Sequence, residues 1–295
     1  EIESGRTSTI STHYLGFDAS GTTLAVPRAH VRQSEAFLGA NASRIVSLMD
    51  LCGHEKYLRT TVQGLSQGMI EYALVLVNAS QPPTHMTLHH LHLCEVYKVP
   101  VVIVVTKIDS APKNVLKYTM KRIKDLVRET STKKVFTIRK MEDVLTVQNK
   151  MDSLLPVIQL SNVSGDNLDL LKKMLYTLPR RRFHEKKMNR PFEFFVEDIF
   201  NVTGVGTVLS GFVNAGSFHN STKCSTTTQQ QHVYVGPTKR GEFIKTTVKS
   251  IHVMQTHVDH VHAGHTACLA VNLTRSERKS LVPRRMYVLD QPVSK

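Results

Sequence analysis

Four short apolar runs recur in the first 182 residues: Ile45–Asp50, Ala73–Val77, Val101–Thr106 and Pro156–Leu160. A strand with one face in water alternates apolar and polar side chains, whereas a strand covered on both faces has no reason to alternate. The runs therefore predict strands of a parallel sheet buried on both sides. Between them lie stretches with helical spacing, at His54–Gly64, His85–Tyr97, Asn114–Glu129 and Asn167–Leu178. In the third, Val115, Tyr118, Met120, Ile123 and Val127 read as the buried face, with Lys117, Lys121, Lys124 and Arg128 in solvent. Strand and helix in alternation imply a doubly wound α/β domain.

The texture changes near residue 180. Pro179-Arg180-Arg181-Arg182 runs through Lys186-Lys187 to Arg190-Pro191, a basic stretch bounded by prolines. Beyond it the segments are short, β-rich and separated by glycine turns, with no convincing helix. Examples are Phe194–Val196, Thr207–Val213, Thr246–His252 and Thr266–Val271. The expected layout is an α/β domain over 1–182, a basic linker over 183–190 and an all-β barrel over 191–295. Gln229-Gln230-Gln231 reads as a loop.

Composition narrows the class. Lys and Arg number 38 against 24 Asp and Glu, a net charge of +14, which suits work beside a polyanion such as RNA. Apolar residues at 41% and charged residues at 21% fit a folded chain and not a disordered one. The longest apolar run, Val99–Val105, is far short of the roughly 20 residues of a membrane helix, so no membrane partner is expected. Cys52, Cys94, Cys224 and Cys268 are isolated, so no disulfide-linked partner is expected and a reducing cytoplasm is the simplest location. The chain opens on Glu1-Ile2-Glu3 with no secretory leader, which reads as a cut edge.

The chemistry concentrates where the first run ends, at Asp50-Leu51-Cys52-Gly53-His54-Glu55-Lys56-Tyr57. At the carboxyl edge of a parallel sheet an Asp can hold the water of a Mg²⁺ ion, and a glycine N–H can approach a terminal phosphate closely. Asp50-x-x-Gly53-His54 resembles the D-x-x-G-H motif of translational GTPases. Further motifs follow in that family's order. Glu1-Ile2-Glu3-Ser4-Gly5-Arg6-Thr7 resembles the switch I segment E-x-E-R-G-I-T, Thr106-Lys107-Ile108-Asp109 resembles N-K-x-D, and Ser161-Asn162-Val163 resembles S-A-x. In the barrel, Pro191-Phe192 through Val196-Glu197-Asp198-Ile199-Phe200 to Gly204-Val205-Gly206-Thr207-Val208 resembles domain 2 of elongation factor Tu and elongation factor 1-alpha. Details such as Gly53-His54-Glu55-Lys56-Tyr57 are most similar to the eukaryotic GTP-binding protein 1/2 family.

The resemblance implies a P-loop GTPase-type domain, GTP/GDP and Mg²⁺ as ligands, hydrolysis of GTP, and the ribosome with tRNA or other RNA as partners. It assigns Thr7 and Asp50 to the metal, Gly53 to the terminal phosphate and His54 to the attacking water. Thr106, Lys107, Asp109, Ser161, Asn162 and Val163 fall to the base. Lys107 can lay its stem over a purine, and the Asp109 carboxylate can accept from both N1–H and N2–H of guanine, a donor pair adenine lacks. Taken without the surrounding motifs, His54 reads instead as a histidine that starts a helix with a structural hydrogen bond. Thr106 departs from the family's Asn and keeps only a hydroxyl.

A G-x-x-x-x-G-K-[S/T] phosphate loop is missing from these residues, since none of the 15 glycines precedes a lysine. The resemblance places it upstream of Glu1, so the chain is expected to be an N-terminally truncated domain and a poor GTPase as it stands. Two functional readings follow: a guanine-nucleotide switch in translation, or a non-catalytic RNA- or protein-binding adaptor on a decayed GTPase scaffold. Coding sequence upstream of Glu1 discriminates them by the presence or replacement of the loop. His85, His89 and His92 share one helical face, and His257, His260, His262 and His265 are dense, but neither group has the acid or Cys partners usual at metals. Gly204-Val205-Gly206 reads as a hairpin turn and not as a dinucleotide fingerprint.

Overall fold

The computed structural model describes residues 7, 10–66, 70–181, 184–220, 232–282 and 286–292. Glu1–Arg6 of the segment that resembles switch I, Arg182 of the basic stretch, Phe183 of the linker, Cys224 and Gln229–Gln231 lie outside the described residues. The chain forms two units, one of Glu1–Val26 with Asn41–Arg181 and the other of Pro27–Ala40 with Arg182–Lys295.

The elements run, in chain order, β1 (Ser11–Phe17), α1 (Ser34–Asn41), β2 (Arg44–Asp50), α2 (Leu58–Ser66), β3 (Ala73–Asn78), α3 (His85–Val96), β4 (Val101–Thr106), α4 (Lys113–Thr130), β5 (Lys134–Ile138), α5 (Met141–Gln148), β6 (Leu154–Gln159) and α6 (Leu168–Thr177). Four strands make a parallel sheet in the order β3-β4-β6-β5. Strand β4 shows why its sequence does not alternate. Val101, Ile103 and Val105 enter one core with Leu91, Ile123 and Val127, while Val102 and Val104 enter another with Phe17, Val144 and Met174. Both faces are covered, so all five residues are buried.

Three expectations need correction. The Ile45–Asp50 run is not a strand of the parallel sheet. It forms an antiparallel pair with β1, from Ser11↔Asp50 to Phe17↔Arg44, and is half-exposed because that two-stranded sheet has an open face. Strand β3 is a sheet edge, and Leu76 within it is 66% exposed, so Ala73–Val77 is not covered on both sides. In α4 Tyr118 is exposed, whereas Thr119 takes the buried position and donates its hydroxyl to the carbonyls of Ala79 (3.2 Å) and Gln81 (3.4 Å).

The second unit contains, besides nearly all of α1, β7 (Glu193–Val202), β8 (Gly206–Ala215), β9 (Ser217–His219), β10 (His232–Gly236), β11 (Ile244–Val253), β12 (Thr256–Val258), β13 (His260–His262), β14 (Thr266–Val271), α7 (Arg275–Ser280) and β15 (Met286–Leu289). Pairing runs β10-β15-β7-β8-β14-β11 and returns from β11 to β10, closing an antiparallel six-stranded barrel. Closure removes open edges and buries Phe192, Phe194, Leu209, Val233, Ile251, Leu269 and Val288 inside. Gly211 is required by the tight β7–β8 crossing, since a Cβ there would lie 1.9 Å from the Phe195 carbonyl oxygen. Gly204-Val205-Gly206 forms the β7–β8 turn, with both glycines at positive φ and Val205 N–H donating to Val202 O at 3.1 Å. Helix α7 corrects the expectation of a helix-free half. Thr274 and Glu277 cap it reciprocally, each bonding the other's backbone N–H.

Candidate functional site

Strands β4 and β6 are parallel neighbours, so the loops that leave them emerge at one edge of the sheet. Leu160 N–H donates to Val105 O at 2.8 Å and Ile108 N–H to Leu160 O at 3.4 Å, which stitches the two loops together. Lys107 sits at φ 61°, a left-handed conformation that costs a side-chain-bearing residue about 1–2 kcal/mol. Its carbonyl is held by the Ser110 N–H (3.3 Å) and hydroxyl (3.1 Å). Such strain persists where surrounding bonds impose it, and it gathers at ligand sites.

Ser161 is fully buried beneath this edge. Its hydroxyl oxygen accepts from the N–H groups of Val163 and Ser164, both at 3.1 Å, and its proton goes to Oδ1 of Asp109. A hydroxyl has one proton and two acceptor positions, so Ser161 has nothing left to offer. Asp109 must present an acceptor to it, and the rest of the exposed carboxylate faces outward with acceptors only. Asn162 and Val163 lie exposed on the same loop. Thr106 Oγ1 points back toward the Val77 carbonyl at 3.5 Å, so the hydroxyl that replaces the family's Asn spans to β3.

A second group lies at the end of β2. Asp50 is the exposed last residue of the strand. Cys52, two residues on, is buried and its carbonyl accepts from the buried Thr61 hydroxyl of α2, which fixes the turn from below. A Cβ on Gly53 would meet no protein atom within 4 Å, so internal packing does not demand glycine there. His54 caps the 3-10 turn Glu55–Tyr57, its Nδ1 accepting the Lys56 N–H at 3.2 Å. That bond requires Nδ1 without a proton, so the neutral ring carries its hydrogen on Nε2. Thr7 is half-buried. It lies four positions before Ser11, the register partner of Asp50, which keeps it within about 14 Å of Ser11 by chain length.

The structure thus bonds Thr106, Lys107, Asp109 and Ser161 into one edge, and gathers Asp50, Gly53 and His54 on one turn. Among the described residues no hydrogen bond joins the two groups. Sequence reading missed the supports Ser110 and Thr61. The three-residue offset from Lys107 to a serine was the available signal for Ser110. Thr7 and Asp50 supply a hydroxyl and a carboxylate, hard oxygen donors that suit Mg²⁺.

The histidine groups take another form. His85 and His89 meet edge-on at 6.0 Å, and His85 Nε2 lies 3.8 Å from Glu55 Oε2. In the barrel, His219 stacks on His260 at 5.3 Å, and His262 meets His265 at 3.7 Å with the rings tilted by 38°. Burial, then His262 and His260, push the His265 ring down to about 4. Among the described residues no three His, Cys, Asp or Glu side chains converge as metal ligands, and no helix is long and apolar enough to cross a membrane.

Comparison with known proteins gives the family and the fold. Residues 1–181 match the family described as the elongation factor Tu GTP binding domain. GTP-binding protein 1 of Xenopus laevis is 36% identical over 289 residues, 96% of this chain and 42% of that protein. GTP-binding protein 2 of Homo sapiens is 32% identical over 278 residues, 92% of this chain and 44% of that protein. The chain therefore spans less than half the length of these relatives. Among solved structures, a bacterial selenocysteine-specific elongation factor superposes with a TM-score of 0.67 at 18% identity, covering 98% of this chain and 39% of that one. Elongation factor SelB from Methanococcus maripaludis, bound to the GTP analogue GppNHp, gives a TM-score of 0.62 at 21% identity, covering 83% and 46%.

Proposed function

Since the chain belongs to the elongation factor Tu GTP-binding family of translational GTPases, we propose that it carries the guanine-recognition and water-positioning parts of a GTP-hydrolysing switch acting on the translation machinery. The observation that carries this reading is the Ser161–Asp109 bond beside the left-handed Lys107. It leaves Asp109 with acceptors aimed at solvent from the edge of a parallel sheet, the arrangement that N1–H and N2–H of guanine require. Lys107 covers the base, and the loop of Ser161, Asn162 and Val163 borders it.

At the other group, Gly53 N–H donates to the terminal phosphate and Nε2–H of His54 donates to the attacking water. With Nδ1 occupied by the cap, His54 orients water and is not its base; positioning dominates phosphoryl transfer, which asks little covalent chemistry of a protein. Thr7 and Asp50 would hold Mg²⁺, whose role is to neutralise charge on the phosphates. Ribosome and tRNA or another RNA are the proposed partners, on the strength of the family and the net charge of +14.

Base selectivity tests the reading. In a form bearing a G-x-x-x-x-G-K-[S/T] loop ahead of Glu1, GTP should displace a fluorescent GDP at least tenfold better than ITP, which lacks the 2-amino donor, and better still than ATP. Equal displacement by GTP and ATP would falsify the assignment of Asp109.

A further inference from the structure

Helix α4 carries more charge than its packing uses. Its 18 residues include six basic side chains and two acids. Ile123, Leu126 and Val127 fix the buried side. Away from it, Lys113, Lys117, Lys121, Lys124 and Arg128 are all exposed. At about 100° and 1.5 Å per residue these five fall in one strip about 80° wide and about 22 Å long. Asp125 is engaged by Arg122 (3.9 Å) and Arg128 (3.7 Å). Among the described residues no ion pair reaches Lys113, Lys117, Lys121 or Lys124.

Like charges one turn apart destabilise an isolated helix, so the helix keeps this strip against its own stability. Lysines four residues apart stand about 6 Å apart along the axis, comparable to one nucleotide step of an RNA backbone. Tyr118, expected inside, is instead 53% exposed, and its ring borders the strip between Asn114 and Arg122. A line of unpaired cations with an exposed aromatic at its flank is the composition that grips single-stranded nucleic acid, with lysines on phosphates and the ring under a base.

We propose that the exposed face of α4 is a docking surface for the phosphate backbone of single-stranded RNA, contacted by Lys113, Lys117, Lys121 and Lys124, with Tyr118 stacking on a base. The proposal stands without the guanine-nucleotide reading, and its test contains no nucleotide. An acidic protein segment is the competing occupant. Even spacing over several nucleotide steps and the exposed ring favour RNA.

The 295-residue chain is titrated into a labelled oligouridylate at about 0.1 M salt, with fluorescence anisotropy as the readout. Two quadruple variants of equal net charge are compared. One is Lys113→Gln, Lys117→Gln, Lys121→Gln and Lys124→Gln. The other changes the exposed Lys150, Lys239, Lys245 and Lys279 to Gln. The strip variant should bind at least tenfold more weakly, and the slope of log K against log salt should shrink by about 3, the value for four phosphate contacts on a single strand. The scattered variant should stay within about twofold of the parent, and Tyr118→Ser alone should cost about fivefold or more. Equal weakening in both quadruple variants means that net charge alone binds RNA and overturns the proposal. So does the absence of binding by the parent chain, or competition by polyglutamate as effective as that by unlabelled RNA.

Discussion

Replacing Asp109 by Asn tests the proposed guanine site at the one atom where its hydrogen-bond network leaves no freedom. A carboxamide could in principle rescue the interaction by turning its oxygen toward the base and its NH₂ toward Ser161. Ser161 forbids that rotation, because both acceptor positions of its hydroxyl are filled by the N–H groups of Val163 and Ser164. It can only donate, so the Asn oxygen must face Ser161 and the NH₂ must face the two N–H groups of guanine. Two charge-assisted bonds of about 1.5–3 kcal/mol each are then lost, and donors face donors. The loss should be at least about 3 kcal/mol, or more than a hundredfold in Kd for GDP. Xanthine carries an oxygen where guanine has its 2-amino group, so XDP should gain as GDP loses. Adding Ser161→Ala removes the lock, lets the amide turn and should recover part of the GDP affinity. The assay is displacement of a fluorescent nucleotide, in the form with a phosphate loop, across wild type, both single variants and the double variant. Unchanged GDP affinity in Asp109→Asn would remove Thr106–Asp109 from the site. A double variant no better than Asp109→Asn would refute the role given to Ser161.

The observed cap and the proposed water contact of His54 are separable. His54→Asn keeps an oxygen near Nδ1 for the Lys56 cap but loses the Nε2 donor, so it should leave nucleotide affinity intact and slow ribosome-stimulated hydrolysis at least tenfold; full turnover would make His54 a cap and nothing more. In the β11–β12 hairpin, Met254 and Gln255 both hold positive φ, at 48° and 62°, in a two-residue turn that favours Asn-Gly. Met254→Asn with Gln255→Gly should stabilise the protein by about 1–2 kcal/mol in urea unfolding. His265 titrates lower in the fold than in the unfolded chain, from 6.5 down to about 4. The unfolded state therefore binds the extra proton in that window, and the stability this ring contributes is complete above pH 6.5 and lost as pH falls toward 4. Allowing for its partial exposure, the loss should be about 1–2 kcal/mol, and His265→Gln should flatten that much of the pH dependence of unfolding followed by circular dichroism.

What the sequence made legible was set by how many faces of an element are covered. Strand β4 reads at once, because helices on both sides leave no polar position from Val101 to Val105. Strand β5 is an edge, and its Lys-Val-Phe-Thr-Ile alternates enough to be passed over, which hid α5 as well. Strand β1 was passed over for the same reason, and without it β2 had no visible partner other than the parallel sheet. Helix α7 did announce itself through Thr274 and Glu277, but six residues give too little periodicity to support the cap.

The site divides along a similar line. Of the residues named by local motifs, Gly53, His54, Lys107 and Asp109 lie just after strands and Asp50 ends β2, since a strand end and a turn are local facts, while the sheet that β2 joins is not. What constrains Asp109 is not local, because Ser161 lies 52 positions away and reaches it only through the β4–β6 pairing. The same holds for Thr106. Sequence shows a lost amide, while the structure shows a hydroxyl directed at the Val77 carbonyl 29 positions back. A threonine there braces the strand end from which Lys107 and Asp109 depart, and in the proposed site it leaves the base contacts to those two residues and the Ser161 loop. Restoring the family's residue by Thr106→Asn should therefore change affinity less than Asp109→Asn does, since it exchanges a brace for an amide and leaves the Asp109 acceptors where Ser161 holds them.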